Sequence, residues 1–536
     1  MITADILYVN GRFYTMKAPG DTVEAVAVLN GKIVFTGSLQ KAGQIPAEKV
    51  VDLKGKPVIP GFTDTHLHLI MDCQEREKVN LTEADSISQV IDLMKERQAQ
   101  MKETDQWLMG AGLHVERLKE GRFPNRHELD RISKERPIYI FSYCHHAGMA
   151  NTKALALAGI GKGFRPEVEG TVEFEEDGSP SGIVREMAYD NYFVPVMNDR
   201  ITDPAYRKAL MEKLAPAYSK MGMTTLHTFS SFAGDPLEYL YMYQELEEEG
   251  KLPFRIRLNS SAPLAVSIGA VTGMGSDMVK YGAKKIFCDG SLSSRSAALI
   301  EPYADAPEQK GILFYSQEEM THQIKEAYEY GMETAIHAIG DRAMEMVLNG
   351  IEEAIKTARP SREGMRFRLI HDILLKESHI RRMKALPVIL DVQPIFIRNW
   401  VRLARERVGT ERLDYFLPFR TFLENGLIVT GGSDAPVDDV NPMIGIQCAV
   451  TRQDLTGFPP EGLCPGEAIS VYDAVCLYTK NAAYCCNEEN ERGTLEKGKF
   501  ADFIVLDQDI FQTDPHGIHK IQVIRTVVGG KTVYEA

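Results

Sequence analysis

Two histidines stand two residues apart at the close of an apolar run, Val58-Ile59-Pro60-Gly61-Phe62-Thr63-Asp64-Thr65-His66-Leu67-His68. In an extended chain, residues i and i+2 face the same side. The imidazoles of His66 and His68 therefore converge on one point, as a divalent metal requires. Four more residues of metal-binding or acid–base type sit at or near the ends of later apolar runs. They are Lys285 in Lys284-Lys285-Ile286-Phe287-Cys288-Asp289-Gly290, His337 in Ala335-Ile336-His337-Ala338, His371 in Arg368-Leu369-Ile370-His371-Asp372, and Asp434 in Val429-Thr430-Gly431-Gly432-Ser433-Asp434. Taken singly, each has an ordinary reading. His337 and His371 fit structural histidines, Lys285 a salt-bridging lysine, and Asp434 the cap of a following helix. Their joint placement, each at the C-terminal end of a candidate strand of one barrel, favours a metal centre.

The chemistry needs this mixture of groups. Neutral imidazoles hold cations without cancelling their charge, while anionic oxygens anchor and bridge them. Water bound to such a cation loses a proton near neutral pH instead of near ~15.7, so a metal-bound hydroxide is the expected nucleophile. Asp434 suits both a ligand and the base that orients this water and later hands its proton to a departing nitrogen. Zinc is the first choice of metal, one or two ions, and ligand type leaves Mn, Fe, Co and Ni open.

Positioning these groups requires strands. Nine candidates, centred on Ile59, Ile140, Leu226, Ile256, Ile286, Ile336, Leu369, Ile389 and Val429, alternate with helical patterns, the signature of βα units around a parallel sheet. A (β/α)8 TIM barrel uses eight. From Leu226 onward the runs follow at the interval a βα unit needs, whereas a much longer stretch separates the first from Leu226. Residues 72–205, including Ile138-Tyr139-Ile140-Phe141, are therefore expected to be an insertion after barrel strand 1, with a lid or substrate-shaping role. The barrel is expected over residues 58–484. Residues 1–57 carry short β-rich runs separated by Asn10-Gly11 and Asn30-Gly31, a hairpin grammar that the far C-terminus repeats. Each set is small for a core of its own, so 1–57 and 485–536 are expected to join in one composite β-sandwich.

At 536 residues the chain exceeds one ordinary domain, and its 44% hydrophobic and 25% charged content is globular. A formal charge of −14 disfavours nucleic acid or an anionic membrane as partner, since both present phosphate. The N-terminus shows no basic segment before a long apolar one, and no run of ~18 uncharged apolar residues occurs. A cytoplasmic protein acting on a small molecule is the expectation, with a homodimer left open. Eight cysteines without a CxxC pair, and with one vicinal pair at Cys485-Cys486, point to reduced thiols.

At these motifs the chain resembles the amidohydrolase superfamily and, within it, the YtcJ-like amidohydrolases, the group that includes N-substituted formamide deformylase. The resemblance covers nearly the whole chain. It rests on Pro60 through His68, His146 followed by Asn151-Thr152-Lys153-Ala154-Leu155, Asp177 through Gly182, Lys285 through Ser296, Ile336 through Ala343, Gly432 through Val437, and Gly498 through Leu506. It implies that His66 and His68 bind a first metal, that His337 and His371 bind a second, and that Lys285 bridges the two as an N-carboxylated side chain. Asp434 becomes the catalytic acid/base, and His146 faces the substrate. Arg295 resembles the family's arginine near the site, and either binds a substrate carbonyl or carboxylate or makes a structural salt bridge. Lys284 points to the opposite side of its strand from Lys285.

Two further residues stay open. Gln393, before Pro394, either lines the pocket and binds substrate or merely ends the seventh strand; His227 either supports a ligand or stands by. Two departures from the family pattern occur: Ile370 precedes His371 where Glu is usual, and Cys144-His145-His146 replaces Asp-Gly-His. The implied activity is metal-dependent hydrolysis of a non-peptide C–N bond in an amide, N-formyl or N-acyl group. The alternatives are a deaminase or isomerase on the same centre, or a non-catalytic barrel scaffold. Retention of all six metal-site residues speaks against the scaffold.

Overall fold

Eight parallel strands form one sheet whose spatial order follows the chain: β1 (Phe62–Leu67), β2 (Met223–Phe229), β3 (Arg255–Ser260), β4 (Val279–Phe287), β5 (Thr334–Ala338), β6 (Phe367–His371), β7 (Val388–Val392) and β8 (Ile428–Gly431). The computed structural model describes residues 3–101, 107–142, 147–165, 171–185, 188–197, 203–229, 236–260 and 269–536. Every residue of β1, β2, β3, β5, β6 and β7 is buried. Strands covered on both faces read as continuous apolar runs, which is why these segments stand out in the sequence.

Amphipathic helices lie between the strands. Gln317–Tyr330 begins at Ser316, whose side chain and that of Glu319 cap each other's backbone N–H, and ends at Gly331 with φ 84°, a left-handed turn that favours glycine. The two end strands of the sheet meet just beyond β1 and β8. There Asp434 N donates to His66 O and His68 N donates to Ala435 O, each at 2.7 Å. The fold is the (β/α)8 barrel.

Before and after the barrel, the ends of the chain build two further sheets, the first from N-terminal strands alone. One has four strands, with Ala4–Val9 between Ala25–Leu29 and Ala47–Asp52. The other has six and interleaves the termini: Pro57–Pro60 pairs with Arg12–Tyr14 on one side and with Phe503–Leu506 on the other. Tyr8, Phe13, Val26, Val58, Phe503, Val505 and Val527 share one apolar core. The run centred on Ile59 therefore belongs to this sandwich rather than to the barrel. Gly61 marks the change, because a Cβ there would lie 2.1 Å from Thr224 Cγ2 and the chain can turn into β1 only without one.

Residues Ile70–Leu210 form a second compact unit, entered after β1 and left before β2; Met1–Leu69 and Met211–Ala536 make up the first. The second unit has its own six-stranded sheet, with Ile138–Ser142 pairing Leu108–Leu113 in parallel and Ala147–Ala150 antiparallel. Its core gathers Leu81, Val90, Met94, Leu108, Leu129, Ile138 and Met149. The seven cysteines among the described residues are all free, and none of the described helices is long and apolar enough to cross a membrane.

Sandwich and barrel are tied by charge. Arg255 of β3 donates Nε to Asp502 Oδ2 at 2.7 Å and Nη2 to Oδ1 at 3.0 Å, and Gly529 N also donates to Asp502 Oδ1 at 2.7 Å. The pair is almost fully enclosed, with side-chain exposures of 2% and 5%. Removing one partner strands the other charge out of water, at a cost of about 3–5 kcal/mol. Asp502→Ala is therefore expected to lower the thermal midpoint well below that of the double variant Asp502→Ala/Arg255→Met in calorimetry; equal midpoints would mean that the stranded arginine carries no such cost.

Candidate metal centre

The ends of β1, β5, β6 and β8 bring one carboxylate and four imidazoles together. Asp434 Oδ1 lies 3.2 Å from His66 Nε2 and 3.3 Å from His68 Nε2. Ring centroids are 5.7 Å apart for His66 and His68, 5.4 Å for His66 and His371, and 4.5 Å for His337 and His371. One ligand atom each from His66, His371 and Asp434 fall within 4.8 Å of one another. Lys285, near the end of β4, faces the same space. Its Nζ lies 4.8 Å from the Phe229 ring, which stacks on His66, and 4.7 Å from the Phe287 ring, which sits 5.5 Å from His337. Lys284 points the other way and pairs with Glu326 at 2.9 Å.

Backbone geometry at the ligands is unusual. His371 has φ 81°, Asp372 φ 48° and Asp434 φ 59°. Non-glycine residues in this region cost of order 1–3 kcal/mol each and persist where the surroundings over-determine them. Here Asp64 supplies much of that determination. Its Oδ1 accepts His66 N at 2.9 Å and Ser433 N at 3.2 Å, bracing β1 against the segment that carries Asp434. Gly432 allows the approach, since a Cβ there would sit 2.7 Å from His66 N and 3.1 Å from Asp64 Oδ1.

The protonation states suit a cation. Burial holds His66 and His337 well below the ordinary histidine range and brings His371 down to about 4, so these three imidazoles are neutral at pH 7. Burial works to raise the Asp434 carboxyl, but the imidazoles of His66, His68 and His371 outweigh it and hold the group well below the usual carboxylate range. Burial also lowers Lys285 to about 7, against the pull of Asp434. Among the described residues the amine has no ion pair.

Hydrogen bonds select the ring nitrogens. His68 Nδ1 meets Phe229 O at 3.2 Å, His371 Nδ1 meets Gln393 Oε1 at 2.6 Å, and His337 Nε2 meets Gly290 O at 3.1 Å. Each oxygen is an acceptor, so the N–H lies on the nitrogen facing it. The lone pairs left over are on Nε2 of His371 and on Nδ1 of His337, while Nε2 of His68 faces Asp434 Oδ1. His66 Nδ1 is buried and has no hydrogen-bond partner. Neutral nitrogen donors around one ionised carboxylate form a donor set that fits a divalent cation.

A family model described as the amidohydrolase family matches residues 49–534. The chain belongs to the amidohydrolase family. It is 34% identical over 531 residues to the putative amidohydrolase YtcJ of Bacillus subtilis, covering 98% of each chain. It is 29% identical over 555 residues to the N-substituted formamide deformylase of Arthrobacter pascens, covering 99% of this chain and 98% of that one. Among solved structures, an uncharacterized metal-dependent hydrolase from Pyrococcus horikoshii superposes with a TM-score of 0.77 at 28% identity, over 95% of this chain and 99% of its own.

Other side chains of this amidohydrolase were also singled out by sequence. Arg295 donates Nε and Nη2 to Asp305 at 3.1 and 2.8 Å, the salt bridge of its two readings. Gln393 is enclosed, with its carbonyl on His371. His227 is buried in β2, its Nδ1 3.5 Å from Arg368 Nη1. His146, with Cys144 and His145, lies outside the described residues.

A polar platform in the barrel interior escaped the sequence. Arg368 Nη2 donates to Thr65 O at 2.6 Å and also to Asp391 Oδ2, while Thr65 Oγ1 donates to Asp391 Oδ1 at 2.5 Å. The available signal was an arginine and an aspartate, each placed within an otherwise apolar barrel strand.

Gly432→Ala tests the bracing of β1 against the Asp434 segment. The added methyl should push His66 from its place and lower bound metal per chain at least several-fold in elemental analysis, with the far-UV spectrum unchanged. Wild-type metal content in this variant would show that the close approach is not required.

Proposed function

We propose that this amidohydrolase is a divalent-metal-dependent hydrolase of a non-peptide C–N bond, in an amide, N-formyl or N-acyl compound of small size. The observation that carries the proposal is the position of Asp434 Oδ1, within 3.3 Å of both His66 Nε2 and His68 Nε2 and inside the ligand cluster with His371. The deformylase relative, similar along the whole chain, supports an N-formyl or N-acyl substrate. A cytoplasmic enzyme acting on a small molecule remains the expectation from the sequence.

His66, His68 and Asp434 would hold one cation and His337 and His371 a second, with zinc as first choice and Lys285 between them. Bound there, the cations make a water acidic near neutral pH and polarise a carbonyl oxygen. The remaining work falls to the chain. Asp434 takes the proton from the attacking water as the water oxygen bonds to the carbonyl carbon. It returns the proton to the nitrogen as the C–N bond breaks, so an amine leaves and a carboxylic acid remains. Phe229 and Phe287 keep bulk water from Lys285 and from the faces of His66 and His337.

Lys285 suits N-carboxylation because burial between two aromatic rings leaves much of its amine neutral at pH 7. The amine nitrogen would bond to the carbon of carbon dioxide and lose one proton, giving a carbamate anion whose oxygens would be suited to hold cations.

Three measurements test the proposal. Elemental analysis of the purified protein should find about two divalent ions per chain, and Lys285→Ala should reduce this to one or none; unchanged double occupancy would remove Lys285 as a bridge. Asp434→Asn should lower kcat by ~10²–10⁴-fold while keeping most of the metal, and normal turnover would take Asp434 out of the mechanism. Screening N-formyl, N-acyl and cyclic amide compounds against the metal-loaded protein should find amine or acid release. Release of ammonia from a cyclic imine instead would make it a deaminase.

A further inference from the structure

We propose that Gln393 is a positioning residue that fixes which nitrogen His371 presents to the metal centre. The inference rests on the metal-dependent reading for its consequence, though not for its geometry. Gln393 closes β7 and is 1% exposed, so its amide has no open face for a substrate. Both ends of that amide are engaged. Nε2 donates to Asp391 O at 3.1 Å, and Oε1 lies 2.6 Å from His371 Nδ1.

The first of these contacts settles the second. Turning the amide over would place its oxygen against the Asp391 carbonyl, two acceptors facing each other at hydrogen-bond distance. The amino group therefore stays on Asp391 O and the carbonyl stays on His371. An acceptor at 2.6 Å demands the proton on Nδ1, because a lone pair there would repel it. His371 is thereby held as the Nδ1–H tautomer, with the Nε2 lone pair free.

Such control matters more at His371 than at an ordinary strand residue. With φ 81° its backbone has left the strand conformation, so the pleat no longer aims the side chain. Contacts with neighbouring side chains replace the pleat, the His66 and His337 rings among them. Phe396 lies parallel to the imidazole, 6.1 Å away with an interplanar angle of 10°, and limits its tilt. Among the described residues, only Gln393 hydrogen-bonds the ring and so distinguishes one edge from the other. Its own anchor, Asp391, has a side chain bonded to Arg368, Thr65 and Thr430, so the orientation traces back to the interior of the barrel.

The test compares wild type with Gln393→Met, which keeps length but removes donor and acceptor, and Gln393→Glu, which keeps an acceptor. In metal-free protein labelled with ¹⁵N-histidine, with the His371 signals identified by their loss in His371→Asn, wild type should show the Nδ1–H form. Gln393→Glu should retain it, and Gln393→Met should show a mixture of tautomers. In chelator competition with zinc, Gln393→Met should bind ~10–100-fold more weakly and Gln393→Glu close to wild type, with KM unchanged at saturating metal.

A Gln393→Met variant with the wild-type tautomer would overturn the proposal. A raised KM with unchanged zinc affinity would also overturn it, by making Gln393 a substrate contact. If wild type binds no zinc at all, the proposed function fails while the tautomer comparison still decides the role of Gln393.

Discussion

A barrel exists only if its last strand finds its first, and in this protein that seam also forms the chemical centre. Asp434 N to His66 O, His68 N to Ala435 O, and the two N–H groups gathered by Asp64 Oδ1 join segments almost 370 residues apart. The same bonds that close the sheet set the distance between the first two imidazoles and the carboxylate facing them. Gly432 is a condition of this contact, because any side chain there would hold the two segments apart. Backbone strain at Asp434 and His371 is tolerable because so many bonds converge on their neighbours.

Burial supplies the electrostatics. Taking four imidazoles, an amine and a carboxyl out of water would ordinarily neutralise every one of them. The imidazoles of His66, His337 and His371 and the Lys285 amine do move toward their neutral forms, while Asp434 stays ionised because the histidines around it favour the anion. The enclosed space is left with one negative charge and several lone pairs. Within the barrel, Arg368 and Asp391 neutralise each other, so the platform supporting the ligands adds little net charge to that imbalance.

Much of this was legible in the sequence, and the reasons differ from part to part. The barrel strands from Leu226 onward announce themselves because parallel strands buried on both faces are continuously apolar. Asn30-Gly31 announces a hairpin of the sandwich, whereas Asn10-Gly11, read the same way, instead carries the chain from one sheet to the other, since Ala4–Val9 and Arg12–Tyr14 do not pair. The first strand was harder: Val58 to His68 reads as one apolar run, and only the close approach of Thr224 to Gly61 divides it into a sandwich strand and β1. The ligand-type residues could be picked out because they sit at similar places in successive runs. What they touch could not. Nothing near Gln393 in sequence points to His371, 22 residues earlier, and the bridging of Arg295 to Asp305 depends on the path of an irregular loop.

The interleaving of the two termini in one sheet has a consequence for biosynthesis. Pro57–Pro60, the segment that leads directly into β1, lies between Arg12–Tyr14 and Phe503–Leu506, so a ribosome makes its second neighbour only after the whole barrel. Until those residues emerge, the paired histidines hang from a strand with one open edge, and nascent chains lacking them have neither a finished sandwich nor a firmly anchored first stave. The strand that leads into the paired histidines is therefore completed only after every strand of the barrel has been made.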